Sequence, residues 1–442
     1  MQKNFIPQER INIIINAFNE LYNHMIKSQR LSAKNIKNFM EPYFINAGYR
    51  KSNIKGNENI LIIHDAGIGD FILMSAVIRE IRQIYPTAHI TLLTNKIASS
   101  LAELCPYVDK VGVVAYPEEK NVLDFYKNMI EVVRNLLIRK IDIAFNFGQY
   151  PSTQLLAYMS GASEIVVREL YIDCYRTPPL NGFSWKFFPQ FATFTADLTG
   201  LKTPHLNDLF ICTLENYTDT KIDNRKLELW LSPADNCIAE INLHRFNQKK
   251  IYAIVMGSNS KLKCKRWSPK NYAQLINLIS AEELAIFIIL GGESEVEDGK
   301  IVKSLAAYNN VFDFTNKLTL RQSAAFLKLC DCYIGNDTGL MHAAAALKIP
   351  VLMPISFAND MEELLLSFPQ RYYPYDTPSI MRQPKHALPE CKNSDDMNKF
   401  FTGCVADEPH CINQITPEAM LQSLKTLQKK VIYNDRKPSL FY

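Results

Sequence analysis

The stretch "ILIIHDAGIGDFILMSAVIREI", residues 60–81, contains the pattern that decides the fold. It begins with an unbroken apolar run, passes through a turn that carries Gly67 and Gly69, and ends with apolar residues at helical spacing. An apolar run without alternation is typical of a strand buried on both faces, and such strands occur in parallel sheets covered by helices. The stretch therefore predicts the first strand–turn–helix unit of a parallel α/β domain.

The same alternation of strands and helices continues to about residue 215 and begins again at Ile251. It predicts a fold of class α/β with two doubly wound, Rossmann-like domains that face each other across a cleft. We expect a helical extension and linker over residues 1–57, a first domain over 58–230 and a second over 231–430. Ligands of such sheets bind at the loops that follow the strands, so those loops contain the candidate site residues.

Composition narrows the class of protein. The chain has 442 residues, a net charge of +4 and 47% hydrophobic residues. This length suits two or three domains, the mild charge gives no reason to expect a nucleic-acid partner, and no apolar run is long enough to cross a bilayer. The first residues contain no apolar core of the secretory type and the ten cysteines are scattered. We therefore expect a cytoplasmic protein with reduced thiols.

The turn "DAGIGD", residues 65–70, places Asp70 at the start of a helix. Its glycines permit a close approach to the backbone. The carboxylate of Asp70 has two interpretations: a helix N-cap that contributes about 1 kcal/mol, or a general base directed into the cleft. The turn lacks the pattern G-x-G-x-x-G, which argues against a nicotinamide dehydrogenase.

The loop "GSNSKLKCKRWSP", residues 257–269, lies between a strand and a helix of the second domain. It combines the hydroxyls of Ser258 and Ser260 with the cations of Lys265 and Arg266. Hydroxyls, backbone amides and cations before a helix are the groups that a phosphate requires. The loop therefore predicts an anion site, with a solvated basic turn as the alternative.

Two further loops follow strands of the second domain. In "GGESE", residues 291–295, Glu293 or Glu295 could bind a ribose diol, with a helix-start acid as the alternative. The segment "GNDTGLMHAAAAL", residues 335–347, begins a helix with an anion-binding turn. Its candidate ligand groups are Asp337, Thr338, Gly339 and His342.

Taken in this order, "GIGD", "KRW" and "NDTGLMHAAAAL" resemble glycosyltransferase family 9, the ADP-heptose heptosyltransferases. The resemblance covers about residues 58–430. It implies the GT-B fold and the inverting transfer of a heptose or related sugar from ADP-heptose to a glycan acceptor such as lipopolysaccharide core. It also implies that no metal or other cofactor is required for catalysis, and it allows peripheral association with the inner membrane. A protein acceptor of the autotransporter type is an alternative, and a noncatalytic nucleotide-binding module is an alternative of another class.

The resemblance also assigns roles to individual residues. It implies that Asp70 is the general base and that Lys265 contacts the donor diphosphate during catalysis. It implies contacts with the donor for a further set of residues: Gly69, Ser258, Ser260, Arg266, Glu293, Glu295, Asp337, Thr338, Gly339 and His342.

The loop over residues 386–411 is distinguished by its cysteines. Three thiols and one imidazole would satisfy a structural zinc or iron ion. The candidate ligands are Cys391, Cys404, Cys411 and His410. The resemblance supports this interpretation, since family 9 relatives that glycosylate autotransporters have an iron-binding cysteine cluster in this region. The loop contains no C-x-x-C pair, and reduced thiols that pack an irregular loop are the alternative.

Overall fold

A computed structural model describes most of the chain from residue 57 onward. The described residues are 57–114, 141–148, 153, 156–157, 160–168, 192–196, 198, 205–246, 249–258, 263–361, 368–389 and 409–435. The helical extension and linker predicted over residues 1–57 therefore lie, up to residue 56, outside the described residues.

The chain divides into two compact units. The described residues of unit 1 fall within Met1–Gly67, Met74–Lys202 and Asn207–Arg225, and those of unit 2 within Ile68–Leu73, Thr203–Leu206 and Lys226–Tyr442. The helix that carries Asp70 is therefore grouped with unit 2, although the strand before it and the helix after it belong to unit 1.

Unit 1 is built on a sheet of six parallel strands in the order β3-β2-β1-β4-β5-β6. The strands are β1 Asn59–Ile63, β2 His89–Asn95, β3 Lys110–Val114, β4 Ile143–Asn146, β5 Glu164–Arg168 and β6 Phe194–Ala196. Four described helices occur in this part of the sequence: α1 Ile68–Leu73, α2 Ser75–Ile84, α3 Lys96–Ala102 and α4 Leu206–Thr218.

Unit 2 contains a second sheet of six parallel strands in the order β12-β11-β10-β7-β8-β9. The strands are β7 Lys250–Val255, β8 Ala285–Leu290, β9 Val311–Asp313, β10 Cys332–Gly335, β11 Val351–Pro354 and β12 Ser379–Arg382. The helices are α5 Pro233–Leu243, α6 Pro269–Glu282, α7 Val296–Leu305, α8 Leu320–Lys328, α9 Gly339–Ala346, α10 Phe368–Arg371, α11 His410–Asn413 and α12 Pro417–Asp435.

Numbered within its own unit, each sheet has the Rossmann strand order 3-2-1-4-5-6. The central strands are buried along their length because helices cover both faces, and all six residues of β8 are buried. The sequence predicted this from its apolar runs, and the α/β class with two doubly wound parallel sheets is confirmed.

A large apolar core holds the second sheet against its helices. Tyr252, Phe287 and Trp267 are buried in it together with Leu424 of α12. The Trp267 indole N–H also donates to the carbonyl oxygen of Ile415 at 2.8 Å. This core fixes the carboxyl ends of β7, β8 and β10, which are the positions from which the site is built.

The structure differs from the sequence prediction at the first helix. The pattern predicts a single helix from Asp70 to Tyr85, whereas the structure has α1 and α2 with a break at Met74. α1 packs against α9 of unit 2, whereas α2 belongs to unit 1. The apolar spacing over residues 70–85 indicates a helix but not which distant helix each of its turns will contact. The break at Met74 could therefore not be predicted from the sequence.

Among the described helices, none combines the length and the apolar character needed to span a membrane.

Candidate active site

The candidate site lies at the carboxyl edge of the sheet of unit 2. Parallel strands end at the same edge, so the loops after β7, β8 and β10 lie side by side there. Asn336, which follows β10, connects the first and last of these loops. Its backbone N–H donates to the Val255 carbonyl at 2.9 Å and its side-chain amide donates to the Met256 carbonyl.

The side-chain oxygen of Asn336 accepts two further hydrogen bonds. One comes from the Trp267 backbone N–H at 3.2 Å and the other from the Tyr272 hydroxyl at 2.9 Å. Asn336 is fully buried, and a buried amide with its donors and acceptors satisfied holds its surroundings in one arrangement. Asn336 therefore fixes the Lys265 loop relative to the turn at Asp337.

Lys265 and Asp337 form the ion pair at the centre of the site. The Lys265 Nζ atom donates to Asp337 Oδ2 at 2.7 Å, and 17% and 24% of the two side chains are exposed. Burial acts to raise the pKa of Asp337, but the charges of Lys265 and His342 and the hydrogen bond from Lys265 lower it overall. Asp337 is therefore ionised at neutral pH, and the pair remains accessible from solvent.

The helix α9 begins directly after this ion pair. Thr338 occupies its N-cap position, but the Thr338 side chain makes no capping hydrogen bond to the helix. The Thr338 hydroxyl lies instead 3.2 Å from the Tyr333 hydroxyl. The first amides of α9 are thus left uncapped by that side chain, at the end of the helix where its dipole favours an anion.

His342 lies one turn into α9 and is only 3% exposed. Burial lowers the pKa of His342 to about 4, with the charge of Lys265 acting in the same direction and that of Asp337 against it. The imidazole is therefore neutral at pH 7. Its Nδ1 atom is buried and has no hydrogen-bond partner among the described residues.

Two glycines allow α1 to approach α9 closely. A Cβ atom at Gly69 would lie 2.5 Å from Cδ2 of His342, and a Cβ atom at Gly339 would lie 2.7 Å from Cβ of Ile68. A side chain at either position would therefore force the two helices apart. Asp70 follows Gly69 in the first turn of α1 and is half-buried, so this contact places the Asp70 segment beside the start of α9.

Arg266 and Glu295, two residues predicted to contact the donor, form hydrogen bonds within the protein instead. The Arg266 guanidinium donates to the Ser258 carbonyl at 3.0 Å and to Glu295 Oε1 at 3.1 Å, and it lies 3.7 Å from Asp298. Glu295 also accepts from the Gly292 backbone N–H at 2.8 Å. Both side chains hold the loops after β7 and β8 together.

The structure separates the predicted residues into three groups. Gly69, Lys265, Asp337, Gly339 and His342 converge at the starts of α1 and α9, with Asp70 and Thr338 adjacent to them. Glu293 is exposed after β8, and Ser258 is half-buried after β7. Ser260, Cys391 and Cys404 lie outside the described residues.

The remaining predicted metal ligands, His410 and Cys411, are both half-buried in α11. The Cys411 sulfur lies 3.9 Å from His410 Nδ1. Within the described part of the chain, no group of three or more histidine, cysteine, aspartate or glutamate residues could hold a metal ion. The structural metal remains a prediction.

Sequence reasoning did not identify Asn336, Tyr333 and Tyr272 as parts of the site. Asn336 stands between β10 and Asp337 in "GND", and a polar residue directly after a buried strand could have drawn attention to it. Tyr272 and Tyr333 read as core aromatics, and nothing in their local pattern shows that their hydroxyl groups hold the turn.

Comparison with known proteins supports the family resemblance that the sequence motifs indicated. Residues 182–353 match the model of "Glycosyltransferase family 9 (heptosyltransferase)". The resemblance to glycosyltransferase family 9 is confirmed. The match contains Lys265, Asp337 and His342 of the site.

A curated relative is similar to this chain over a greater length. It is a Haemophilus influenzae protein named "Putative glycosyltransferase". The two sequences are 22% identical over 300 residues, which cover 67% of this chain and 81% of that protein. Together with the family 9 match, it supports a glycosyltransferase.

Solved structures show the same fold. A glycosyltransferase family 9 protein of Veillonella parvula has a TM-score of 0.66 at 20% identity and covers 86% of this chain and 100% of its own. The ADP-heptose lipopolysaccharide heptosyltransferase II of E. coli has a TM-score of 0.59 at 16% identity, with 85% and 99% covered. An E. coli heptosyltransferase solved with ADP has a TM-score of 0.57 at 14% identity, with 84% and 99% covered. These likenesses confirm the predicted GT-B fold class.

Proposed function

We propose that the protein is an inverting glycosyltransferase. In this proposal it transfers a heptose or a related sugar from an ADP-sugar to a cell-surface glycan such as lipopolysaccharide core. The observation that carries the proposal is the contact of Gly69 with His342. It brings the segment of Asp70, an acid suited to act as a base, to the turn where Lys265, Asp337 and the start of α9 are suited to hold a diphosphate.

The donor follows from the chemistry of this edge and from the relatives. Lys265 and the first amides of α9 offer positive charge to a diphosphate. Glu293, exposed in the neighbouring loop after β8, offers a carboxylate to the ribose diol. One structural relative, an E. coli heptosyltransferase, was solved both with ADP and with ADP-2-deoxy-2-fluoro heptose. An adenosine diphosphate sugar is the donor that these features support best.

The proposed reaction is a single displacement. The carboxylate of Asp70 takes the proton from an acceptor hydroxyl as the hydroxyl oxygen forms a bond to the anomeric carbon. The bond between that carbon and the diphosphate oxygen breaks on the opposite face, and ADP leaves with both electrons. Lys265 and the α9 amides stabilise the charge that develops on ADP, so the proposed mechanism requires no metal ion.

The electrostatic state of the site agrees with these roles at neutral pH. The lowered pKa of Asp337 keeps its carboxylate ionised, which holds the Lys265 ammonium in place before the donor arrives. The lowered pKa of His342 keeps its imidazole neutral, so the ring can accept or donate a hydrogen bond without adding charge.

The test is transfer from ADP-heptose by the full-length protein. Purified lipopolysaccharide core precursor is the acceptor in one arm, and an unmodified autotransporter passenger polypeptide is the acceptor in the other. Release of ADP and the mass of the product are measured. Asp70→Asn should lower kcat by about 10² to 10⁴-fold and leave the Kd for ADP within about twofold, because only the proton acceptor is lost.

Asp223→Asn is the matched control, since Asp223 is an exposed acid of unit 1 whose carboxylate lies 3.5 Å from the exposed ammonium of Lys221. It should leave kcat unchanged. Full turnover by Asp70→Asn would remove the base assignment. Transfer to the polypeptide but not to the core precursor would overturn the glycan acceptor and leave the transferase proposal intact.

A further inference from the structure

The short helix α1, which carries Asp70, depends on its neighbours for its position. It has only six residues, Ile68–Leu73, and a helix of that length has too few internal hydrogen bonds to be stable by itself. Its first half is held by α9, which Gly69 approaches closely at His342. Asp70 stands between that contact and Phe71, so the position of its carboxylate also depends on what holds Phe71.

Trp230 packs against the second half of α1. Phe71 is only 1% exposed, and the centroid of its ring lies 6.5 Å from that of Trp230, with the ring planes at 74°. An edge-to-face arrangement at this separation is favourable for two aromatic rings. Both residues belong to unit 2. Trp230 therefore contacts the residue that directly follows Asp70 in the chain.

The segment that carries Trp230 is itself tied to α5. Residues 226–232 form no helix or strand and directly precede α5. They end in a capping box, in which the Ser232 hydroxyl accepts from the Asp235 backbone N–H at 3.1 Å and the Asp235 carboxylate accepts from the Ser232 backbone N–H at 3.0 Å. The Arg321 guanidinium of α8 lies 3.3 Å from the same carboxylate. These contacts fix the chain two residues after Trp230.

The indole ring of Trp230 is also held within its own segment. Its Nε1–H group donates to Glu228 Oε2 at 3.2 Å, and the neighbouring Leu227 is buried. The hydrogen bond at one edge of the indole and the ring contact with Phe71 together fix its orientation. The segment thus presents a fixed aromatic surface to α1.

We propose that Trp230 is a positioning residue for Asp70 and that it acts through Phe71. The contact of Gly69 with α9 sets how closely α1 approaches the donor site, and Trp230 holds the other half of the helix, so that the carboxylate between them meets the acceptor hydroxyl. The inference rests on the proposed function, since it assumes that Asp70 is the general base. It adds a residue that lies outside the strand-end loops from which the site is built.

A double-mutant cycle measured by the kinetics of sugar transfer tests the proposal. Trp230→Ala should lower kcat by about 10 to 10²-fold, because a displaced base loses its alignment with the acceptor hydroxyl. The KM for ADP-heptose and the Kd for ADP should stay within about twofold, since Lys265 and α9 hold the donor. In the Asp70→Asn background, Trp230→Ala should have almost no further effect on kcat, because residues that act as a unit are not additive.

Hydrogen exchange gives a readout that does not depend on activity. In Trp230→Ala the amides of α1 should exchange faster, whereas those of β7 and β8 should exchange as in the wild type. Trp230→Phe keeps an aromatic ring against Phe71 and should restore both the slow exchange and most of kcat. If Trp230→Ala is unfolded at the assay temperature, Trp230→Leu, which keeps an apolar side chain without a ring, is measured in its place.

Phe312→Ala is the matched control. Phe312 is a half-buried aromatic residue of β9 in the same unit. Its ring packs against Phe246, with the centroids 4.8 Å apart. The variant should leave kcat and the exchange of the α1 amides unchanged even if it lowers the thermal midpoint, so it separates a general loss of stability from a displacement of α1.

The outcomes separate this inference from the proposed function. If the folded wild type neither binds ADP nor transfers the sugar, or if Asp70→Asn keeps full turnover, the proposed function or its base assignment is wrong and the role of Trp230 fails with it. If Asp70→Asn is impaired as expected but Trp230→Ala leaves kcat unchanged, or lowers it by the same factor in both backgrounds, Trp230 does not position Asp70 and the proposed function stands. A loss of kcat that Trp230→Phe restores and that vanishes in the Asp70→Asn background supports the inference.

Discussion

Lys265 and Arg266 are consecutive cations whose surroundings differ. Lys265 pairs with Asp337 at 2.7 Å, and both side chains keep part of their surface in contact with solvent. Arg266 binds the Ser258 carbonyl, Glu295 and Asp298. The Lys265 side chain therefore pairs with one carboxylate at the start of a helix, whereas the Arg266 guanidinium is directed at three groups of the protein.

The difference shows why charge in a strand-end loop is weak evidence of a ligand site. Glu295 is 6% exposed and its carboxylate already accepts from Arg266 and from Gly292. The Lys265 region adds a helix start that the Thr338 side chain does not cap and a buried imidazole nitrogen without a partner among the described residues. Arg266 also has one buried nitrogen, Nε, without a partner among the described residues. What distinguishes the Lys265 region is therefore that its unused groups lie together at the start of a helix.

The largest expected effect is the loss of activity in Lys265→Ala. In the proposed mechanism Lys265 faces the leaving diphosphate, so removal of its charge should lower kcat/KM by about 10² to 10³-fold. The thermal midpoint should fall by less than that of Arg266→Ala, because both side chains of this ion pair keep part of their surface in solvent and Glu295 is more deeply buried. Steady-state kinetics and differential scanning calorimetry measure the two effects. A large loss of Tm with unchanged kcat/KM would show that Lys265 serves stability and not the ligand.

Arg266→Ala should have the opposite effect, a large loss of stability and a smaller loss of activity. It leaves Glu295 buried without its cation, which should cost about 2 to 3 kcal/mol of unfolding free energy and lower the Tm by roughly 5 to 10 °C. The double variant Arg266→Met with Glu295→Gln removes both charges and should recover more than half of that loss. If the double variant is no more stable than the single one, the ion pair is not the cause.

The pH dependence of the unfolding free energy tests whether the buried imidazole of His342, beside Lys265, is neutral. The pKa of His342 is lowered in the folded state to about 4 from its ordinary value of 6.5. Between these pH values the unfolded chain binds more protons, so stability falls as the pH falls from 6.5 towards 4. His342 should contribute a slope of about 1.4 kcal/mol per pH unit in this window.

Urea unfolding at pH 7, 6 and 5 checks this contribution. His342→Gln should reduce the pH dependence by that slope, and His205→Gln should do so as well, because the pKa of His205 is lowered to about 3. His244→Gln is the control, since His244 is exposed at the end of α5. An unchanged pH profile in His342→Gln would contradict the buried neutral imidazole.

The smallest expected effect compares the two acids of the loop after β8. Glu293→Gln should weaken ADP binding by about tenfold, since a hydrogen bond to a charged group contributes about 1.5 kcal/mol, and should leave the Tm unchanged. Glu295→Gln should lower the Tm and change ADP affinity less. Calorimetric titration and thermal unfolding of both variants decide between them, and the reverse result would assign the ribose contact to Glu295.

Much of the fold could be predicted because strand burial is a local property. The apolar runs at residues 60–63 and 285–290 are strands of the predicted type, and Asp70 lies in the first turn of a helix as expected. The break at Met74 and the grouping of α1 with unit 2 could not be predicted. They depend on Gly69 and Gly339 meeting across about 270 residues of sequence, and no local pattern encodes that contact.

The sequence by itself determined the two parallel sheets and the loops at which a ligand can bind, because apolar runs, glycines and helix starts act over a few residues. Only the tertiary structure decided which of those loop residues remain available. Lys265 meets a partner 72 residues away and Arg266 one 29 residues away. Whether a charged or polar group can still serve a ligand depends on partners distant in the chain, and only folding brings them within hydrogen-bond distance.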